Sequence, residues 1–232
     1  MPNQQFAPAE WATRSAALIQ DAVNAILAAK GQCSLMLTGG RSAEKLYLAW
    51  AELPEFSQMS GVEFYFGDER CVPPNHPESN YGMAMQSLFG NGVPAGCTVL
   101  RMLADEPDHD AAALRYEQSF PSAIDVLLLG VGEDGHIASL FPGAAALAER
   151  VRCVLPVTCP KPPADRLTVT LPVIAAAKSV FVLATGAAKA AVLASLLKPV
   201  AGANLLPANE VLHAIWLTDT ALPTRVGAGD TV

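Results

Sequence analysis

The sequence predicts an α/β fold: a single doubly wound domain over residues 1–232, with a mostly parallel sheet and helices on both faces. Three observations carry that expectation. Several short runs are apolar throughout rather than alternating, as strands covered on both faces require. These runs alternate along the chain with stretches of helical periodicity, the pattern of parallel strands joined by helical crossovers. The glycine-rich and charged segments fall just beyond the apolar runs, at the carboxyl ends of strands where such sheets bind ligands.

Taken in order, residues 8–29 place Trp11, Ser15, Leu18, Ala22 and Ile26 at helical spacing, with Ile19 and Val23 widening the stripe into a core-facing band. An apolar run at 33–38 is the first strand, followed by a helical pattern at 43–53 and a second strand at 62–66. A loop through residues 73–80 ends at a Ser79 or Asn80 helix cap, and a helix follows at 81–88. A weaker strand candidate lies at 98–102, then a helix at 108–120 and a strand at 124–129. Residues 152–156 are another weak strand candidate, and the proline-rich stretch 156–163 reads as a long irregular surface loop. A strand at 180–185, a helix at 187–197 and a strand at 214–218 complete the pattern; the tail 223–232, rich in Gly and small polar residues, is expected to fray. No repeat or low-complexity linker divides the chain.

Hydrophobic residues make up 51% of the chain and charged residues 16%, enough to build a substantial core. The formal charge of -7 opposes nucleic acid and anionic membrane, so an anionic ligand must be drawn by a local group of cations. The five cysteines show no Cys-x-x-Cys spacing and read as small buried side chains in a reducing compartment. The start, Met1-Pro2-Asn3-Gln4-Gln5, lacks the basic segment and apolar run of a signal peptide, and no uncharged apolar run reaches membrane-spanning length. The expected address is the cytoplasm.

Three segments carry chemistry. The first strand runs into Thr38-Gly39-Gly40-Arg41-Ser42 and then a helical pattern. Glycines there let the backbone approach an anion, and free amides at a helix start attract it; Ser42 can cap the helix and donate to a phosphate oxygen. The loop fits neither Gly-x-Gly-x-x-Gly nor the Walker pattern, which disfavours a dinucleotide or ATP; the alternative is an ordinary capped turn. The second strand empties into Gly67-Asp68-Glu69-Arg70, either a solvated loop or a site in which Arg70 contacts substrate oxygens and Asp68 or Glu69 holds it. The strand at 124–129 delivers Gly130-Val131-Gly132-Glu133-Asp134-Gly135-His136. An imidazole moves protons near neutral pH, and a carboxylate beside it fixes its tautomer, so His136 is the leading base. His76, His109 and His213 have no such partner, and without His-x-x-x-His or similar ligand spacing neither metal nor cofactor is expected.

In these segments the chain resembles the 6-phosphogluconolactonases, relatives of the glucosamine-6-phosphate isomerases. The resemblance is carried by the three segments, by Glu78-Ser79-Asn80-Tyr81, by the continuation to Phe141-Pro142-Gly143, by 166–172 (Arg-Leu-Thr-Val-Thr-Leu-Pro), and more loosely by Thr185-Gly186-Ala187-Ala188-Lys189. Two positions depart: Ala43 stands where many relatives have proline, and Ile137 where many have threonine. The resemblance implies a modified Rossmann-like sheet and a phosphorylated sugar lactone whose phosphate sits at the Gly-Gly loop (Thr38, Gly39, Gly40, Arg41, Ser42). Arg166 and Lys189 are implied as further phosphate contacts, and Asp68, Glu69 and Asn80 as members of the substrate site. Taken without the family, Arg166 precedes a Thr-rich strand and Lys189 starts a helix, and both read as solvated.

The implied reaction is hydrolysis of 6-phosphogluconolactone. His136 takes a proton from the attacking water and returns it to the ring oxygen, Asp134 orients the imidazole, and Arg70 or backbone amides stabilise the oxyanion. Two alternatives stay open: the sister isomerase/deaminase, whose second segment typically carries an aromatic where this chain has Arg70, and a non-catalytic sugar-phosphate sensor. The expected partner is the small molecule alone, with no nucleic acid or membrane, and the expected state a monomer or weak homodimer.

Overall fold

The computed structural model describes residues 1–197 and 206–220; the tail expected to fray lies outside the described residues. In chain order the elements are β1 (Asn3–Gln5), α1 (Trp11–Lys30), β2 (Cys33–Leu37), α2 (Arg41–Ala51), α3 (Pro54–Ser57), β3 (Val62–Phe66), β4 (Asp68–Arg70), α4 (Asn80–Ser87) and β5 (Thr98–Val99). They continue with α5 (His109–Glu117), β6 (Val126–Gly130), β7 (Val154–Thr158), β8 (Asp165–Val169), α6 (Leu171–Ala176), β9 (Ser179–Ala184), α7 (Ala190–Leu197) and β10 (Ile215–Thr218).

Among the described residues seven strands form one sheet in the order β1-β10-β9-β6-β2-β3-β5, and every neighbouring pair is parallel. The doubly wound expectation holds, and the reason is visible strand by strand. Leu35, Leu37, Phe64, Phe66, Val126, Leu128, Phe181 and Leu183 face one apolar layer, while Met36, Tyr65, Leu127, Leu129, Val182 and Ala184 face the other. Alternate side chains point to opposite faces, so a strand covered on both must be apolar at every position. Trp11, Ile19 and Val23 of α1 and Leu46, Tyr47 and Trp50 of α2 cover the first face; Tyr116 of α5, Ile174 of α6 and Leu193 of α7 cover the second. Among the described residues no helix is long and apolar enough to cross a membrane.

The helix ends follow local chemistry. Gly31, at φ 73°, closes α1 by donating its amide to Leu27. Ser79 caps α4 by accepting from the Gly82 amide, as its position before that pattern predicts, and Asp108 caps α5 by accepting from Ala111.

A second, antiparallel sheet of β4, β8 and β7 was not expected, and it corrects two readings. Asp68-Glu69-Arg70 is not a solvated loop but a strand paired with Arg166-Leu167-Thr168, and residues 156–158 of the expected proline-rich excursion belong to β7. Short strands interrupted by charged residues and proline escape a search for apolar runs, although Val154, Leu167 and Val169 pack into the core. The cysteine expectation holds in part: Cys33 and Cys159 are buried, Cys71, Cys97 and Cys153 half-buried, and all five are free.

At the amino end of the sheet, opposite the site described below, Asp125 joins β6 to β2. Its carboxylate accepts from Lys30 Nζ (2.6 Å), Lys178 Nζ (2.9 Å), the Ser34 amide (2.8 Å) and Ser34 Oγ (3.0 Å). Burial pushes this carboxyl up, but Lys30, Ser34 and Lys178 outweigh it and hold it at about 2. Because the folded value is depressed, the stabilisation is present above the ordinary carboxyl pKa of about 4 and is lost as pH falls through about 2. Asp125→Ala strands the buried Ser34 amide and is expected to cost about 2–3 kcal/mol, read as a lowered midpoint of urea unfolding at pH 7. An unchanged midpoint would show the cluster to be ornamental.

Candidate active site

The chain reverses direction across the sheet between β2 and β6: from β2 it winds outward to β3 and β5, then returns to β6, β9 and β10 on the other side. A crevice opens outside the carboxyl ends of strands at such a switch point. Here Thr38 Oγ1 accepts from the Gly130 amide at 3.1 Å, tying the two strand tips together, and a cavity of about 570 Å³ lies above them.

One wall is the β2 tip. The Thr38 amide and carbonyl are both held by Tyr47 Oη (2.9 and 2.8 Å), which fixes the loop against α2. Gly39 passes so close to Asn80 that a Cβ would lie 1.9 Å from its Oδ1. Helix α2 starts at Arg41 with Gly40 (φ 94°, ψ 169°) at the cap position and no side chain capping it. Ser42 is therefore not the cap expected from sequence; its hydroxyl instead meets Thr185 Oγ1 at 2.6 Å. That bond joins a second loop of the same form at the β9 tip, where Gly186 (φ 85°, ψ 153°) precedes Ala187–Lys189 and donates its amide to Asp219. Two uncapped turns thus border one space, with Lys189 on the second; burial lowers the Lys189 pKa, opposed by Glu133. Among the described residues the lining carries six cationic side chains, Arg41, Lys45, Arg70, Lys161, Arg166 and Lys189, against three acidic ones, Asp68, Glu133 and Asp219. The local field is positive in a chain whose net charge is -7.

The opposite wall is the β6 tip. The turn is closed by hydrogen bonds from the Gly132 amide to the His136 carbonyl (2.8 Å) and from the Gly135 amide to the Gly132 carbonyl (3.0 Å). It sets His136 Nδ1 2.5 Å from Asp134 Oδ1, and the ring stacks on Phe141 with centroids 4.2 Å apart. Nδ1 is thereby engaged and Nε2 remains for chemistry. The imidazole is 19% exposed and shares the cavity with residues 38–42, so it is not sealed in the interior. Burial lowers its pKa, and the opposing pull of Asp134 does not restore it, which leaves the ring neutral and able to accept a proton at pH 7. Burial pushes the Asp134 carboxyl up, but Lys161 and His136 hold it down to about 2. Asp134 stands behind the imidazole rather than on the cavity wall.

The second sheet supplies the floor. Asp68 accepts from Asn80 Nδ2 (3.2 Å) and from Ser139 Oγ (2.7 Å), and Ser139 Oγ in turn accepts from Arg166 Nη1 (3.3 Å). Arg166 is 5% exposed and also donates to the carbonyls of Pro163 and Lys161, so it is not the solvated residue that its place before a Thr-rich strand suggests. Arg70 lines the cavity but is held by the Glu78 carbonyl and carboxylate, not by Asp68 or Glu69. Glu69 is a correction: it does not line the cavity, because its two oxygens are taken by the amides of Arg70, Asn80 and Tyr81 and by Ser79 Oγ. A carboxylate at a helix N-terminus satisfies orphan amides, and here it anchors α4 and so places Asn80.

Sequence reasoning missed Lys45, Ser139, Thr185, Asp219 and Lys161. Lys45, one helical turn from Arg41 on the same face, was within reach of periodicity. Lys161, in a proline-rich loop, gave no local signal. Of the two departures, Ile137 is fully buried in the core, and Ala43 borders the cavity with a buried methyl group, so neither offers a polar side chain to it.

A doubly wound sheet with a carboxylate-backed imidazole facing a cationic pocket at its switch point is the arrangement of an α/β enzyme site suited to an anionic substrate. The model of the glucosamine-6-phosphate isomerases/6-phosphogluconolactonase family matches residues 7–218, and the chain belongs to that family. It is 37% identical over 221 residues to a 6-phosphogluconolactonase of Streptomyces coelicolor, covering 86% of this chain and 84% of that one. It is 36% identical over 221 residues to the 6-phosphogluconolactonase of Homo sapiens, covering 87% and 84%. The crystal structure of a 6-phosphogluconolactonase from Thermotoga maritima superposes with a TM-score of 0.80 at 25% identity, over 94% of this chain and 98% of that one.

Proposed function

We propose that this enzyme hydrolyses 6-phospho-D-glucono-1,5-lactone to 6-phospho-D-gluconate, the lactone-opening step of the oxidative pentose phosphate pathway. The observation that carries the reading is His136, paired with Asp134 at 2.5 Å and opening onto the same cavity as the two glycine turns. The phosphate rests on the amides of the 38–42 loop with Lys189 and Arg166 beside it, which sets the lactone carbonyl toward His136. His136 Nε2 takes a proton from water as its oxygen bonds to the carbonyl carbon. The tetrahedral oxyanion is stabilised by Arg70, kept in place by Glu78. The carbon–ring oxygen bond then breaks, and the imidazolium returns its proton to that oxygen, which becomes a hydroxyl.

The direct experiment generates the lactone with glucose-6-phosphate dehydrogenase and follows its disappearance, with and without the purified chain, against spontaneous hydrolysis. Equal rates would end the proposal. Lys189→Ala is expected to raise KM about tenfold or more and to change kcat less, since one charge-assisted contact is worth roughly 1.5–3 kcal/mol. An unchanged KM would detach Lys189 from the phosphate. The reading carries with it a single domain, a cytoplasmic address suited to five free cysteines, and action as a monomer or weak homodimer, testable by gel filtration.

A further inference from the structure

Lys161 belongs to none of the motifs that mark the site, yet its Nζ lies 2.7 Å from Asp134 Oδ2 while Oδ1 of the same carboxylate meets His136 Nδ1 at 2.5 Å. The loop that carries it is pinned. Arg166 donates Nη2 to the Lys161 carbonyl (3.1 Å) and Nε to the Pro163 carbonyl (2.9 Å), and its guanidinium sits 5.7 Å from the centroid of Phe141, the ring on which His136 stacks. The backbone that carries the ammonium is thus held by a side chain buried in the second sheet.

Resting on the reading of His136 as the base, we infer that Lys161 is a positioning residue that occupies the second oxygen of Asp134 and so keeps the imidazole paired but uncharged. Charge counting gives the reason. With Lys161 present, ammonium and carboxylate neutralise one another, and a proton added to His136 finds little net attraction. Without it the carboxylate faces the ring alone, and a charged imidazolium becomes its natural partner. An imidazolium has no lone pair with which to accept a proton from water. Burial already favours the neutral ring, and Lys161 adds to it by offsetting the pull of Asp134, so that the carboxylate can orient the base without raising its proton affinity.

The charged groups that face His136 are Asp134 on its own turn, Lys161 on the β7–β8 loop and Asp68 on β4, with Arg166 of β8 across Phe141 and Glu133 and Lys189 sharing the cavity. Asp68, like Asp134, favours protonation, and both act unopposed by Lys161 once it is removed.

The test uses the full chain with labelled histidine, the His136 resonance being assigned by its loss in His136→Ala. Its titration and the pH profile of kcat/KM are measured for wild type, Lys161→Met and Lys161→Arg. Lys161→Met is expected to move the His136 midpoint and the acidic limb of the rate profile upward together by about one pH unit, a tenfold gain in proton affinity, and Lys161→Arg to return both. A residue that only braces the loop would lower the rate at every pH and move neither midpoint. The side chain is about half exposed, so the fold should tolerate the change; if Lys161→Met does not fold, Lys161→Gln carries the same comparison. An unmoved His136 titration overturns the inference whatever the rate does. A titration that moves while the rate limb stays upholds the positioning and removes His136 as the base, so the two readings fail separately.

Discussion

Replacing His136 with alanine is expected to lower kcat/KM for the lactone by about 10²–10⁴-fold, the range over which a positioned general base accelerates proton transfer. In free energy that is roughly 3–5 kcal/mol of transition-state stabilisation. The loss should fall on kcat, because the amides of the β2 tip and Lys189 of the β9 loop are untouched and substrate is still held. The fold should persist: the imidazole lies at the edge of a cavity, and among the described residues its only side-chain hydrogen bond is to Asp134. Circular dichroism and the urea midpoint check that condition while lactone turnover is measured above the spontaneous rate. A variant that turns over within a few-fold of wild type would remove His136 from the mechanism and with it the functional reading of the β6 turn.

The second large effect comes from a residue with no side chain. A Cβ at Gly132 would lie 2.0 Å from His136 Nδ1, 2.2 Å from its Cε1 and 2.4 Å from Asp134 Oδ1, in the middle of the pair it supports. The backbone cannot simply withdraw, since the Gly132 amide closes the turn on the His136 carbonyl at 2.8 Å. Gly132→Ala must therefore drive the imidazole and the carboxylate apart by an ångström or more. A displacement of that size at a reacting group costs about 100-fold in rate, so kcat should fall about that much although no reacting atom has been removed. KM should stay within a few-fold. Wild-type kcat in Gly132→Ala would mean that the pairing seen in this turn is not the one used in turnover.

These two variants also mark how much of the site is written locally. Asp134, Gly135 and His136 lie within one turn, and their pairing follows from chain connectivity, so a sequence reader can find it. The same holds for the Thr38–Ser42 loop, whose place after an apolar run announces a strand tip. The fate of Glu69 was not legible in this way. In the sequence it stands between Asp68 and Arg70 as one of three equivalent charges, and only the approach of the α4 amino end, ten residues later, turns its carboxylate from the cavity to the amides of Asn80 and Tyr81. Ser42 differs for a similar reason: it has the residue type of a helix cap, but Thr185 from the far β9 tip claims its hydroxyl.

The sequence by itself determined the parallel sheet, its two apolar faces and the strand tips at which function collects, because burial on both faces requires apolar side chains at every strand position. Tertiary structure alone decided the antiparallel second sheet, the placing of Arg70 by Glu78, and the sharing of Asp134 between His136 and Lys161. Polar groups are satisfied by whichever partner the fold brings within about 3 Å, and that proximity is set by contacts distant along the chain rather than by the residues on either side.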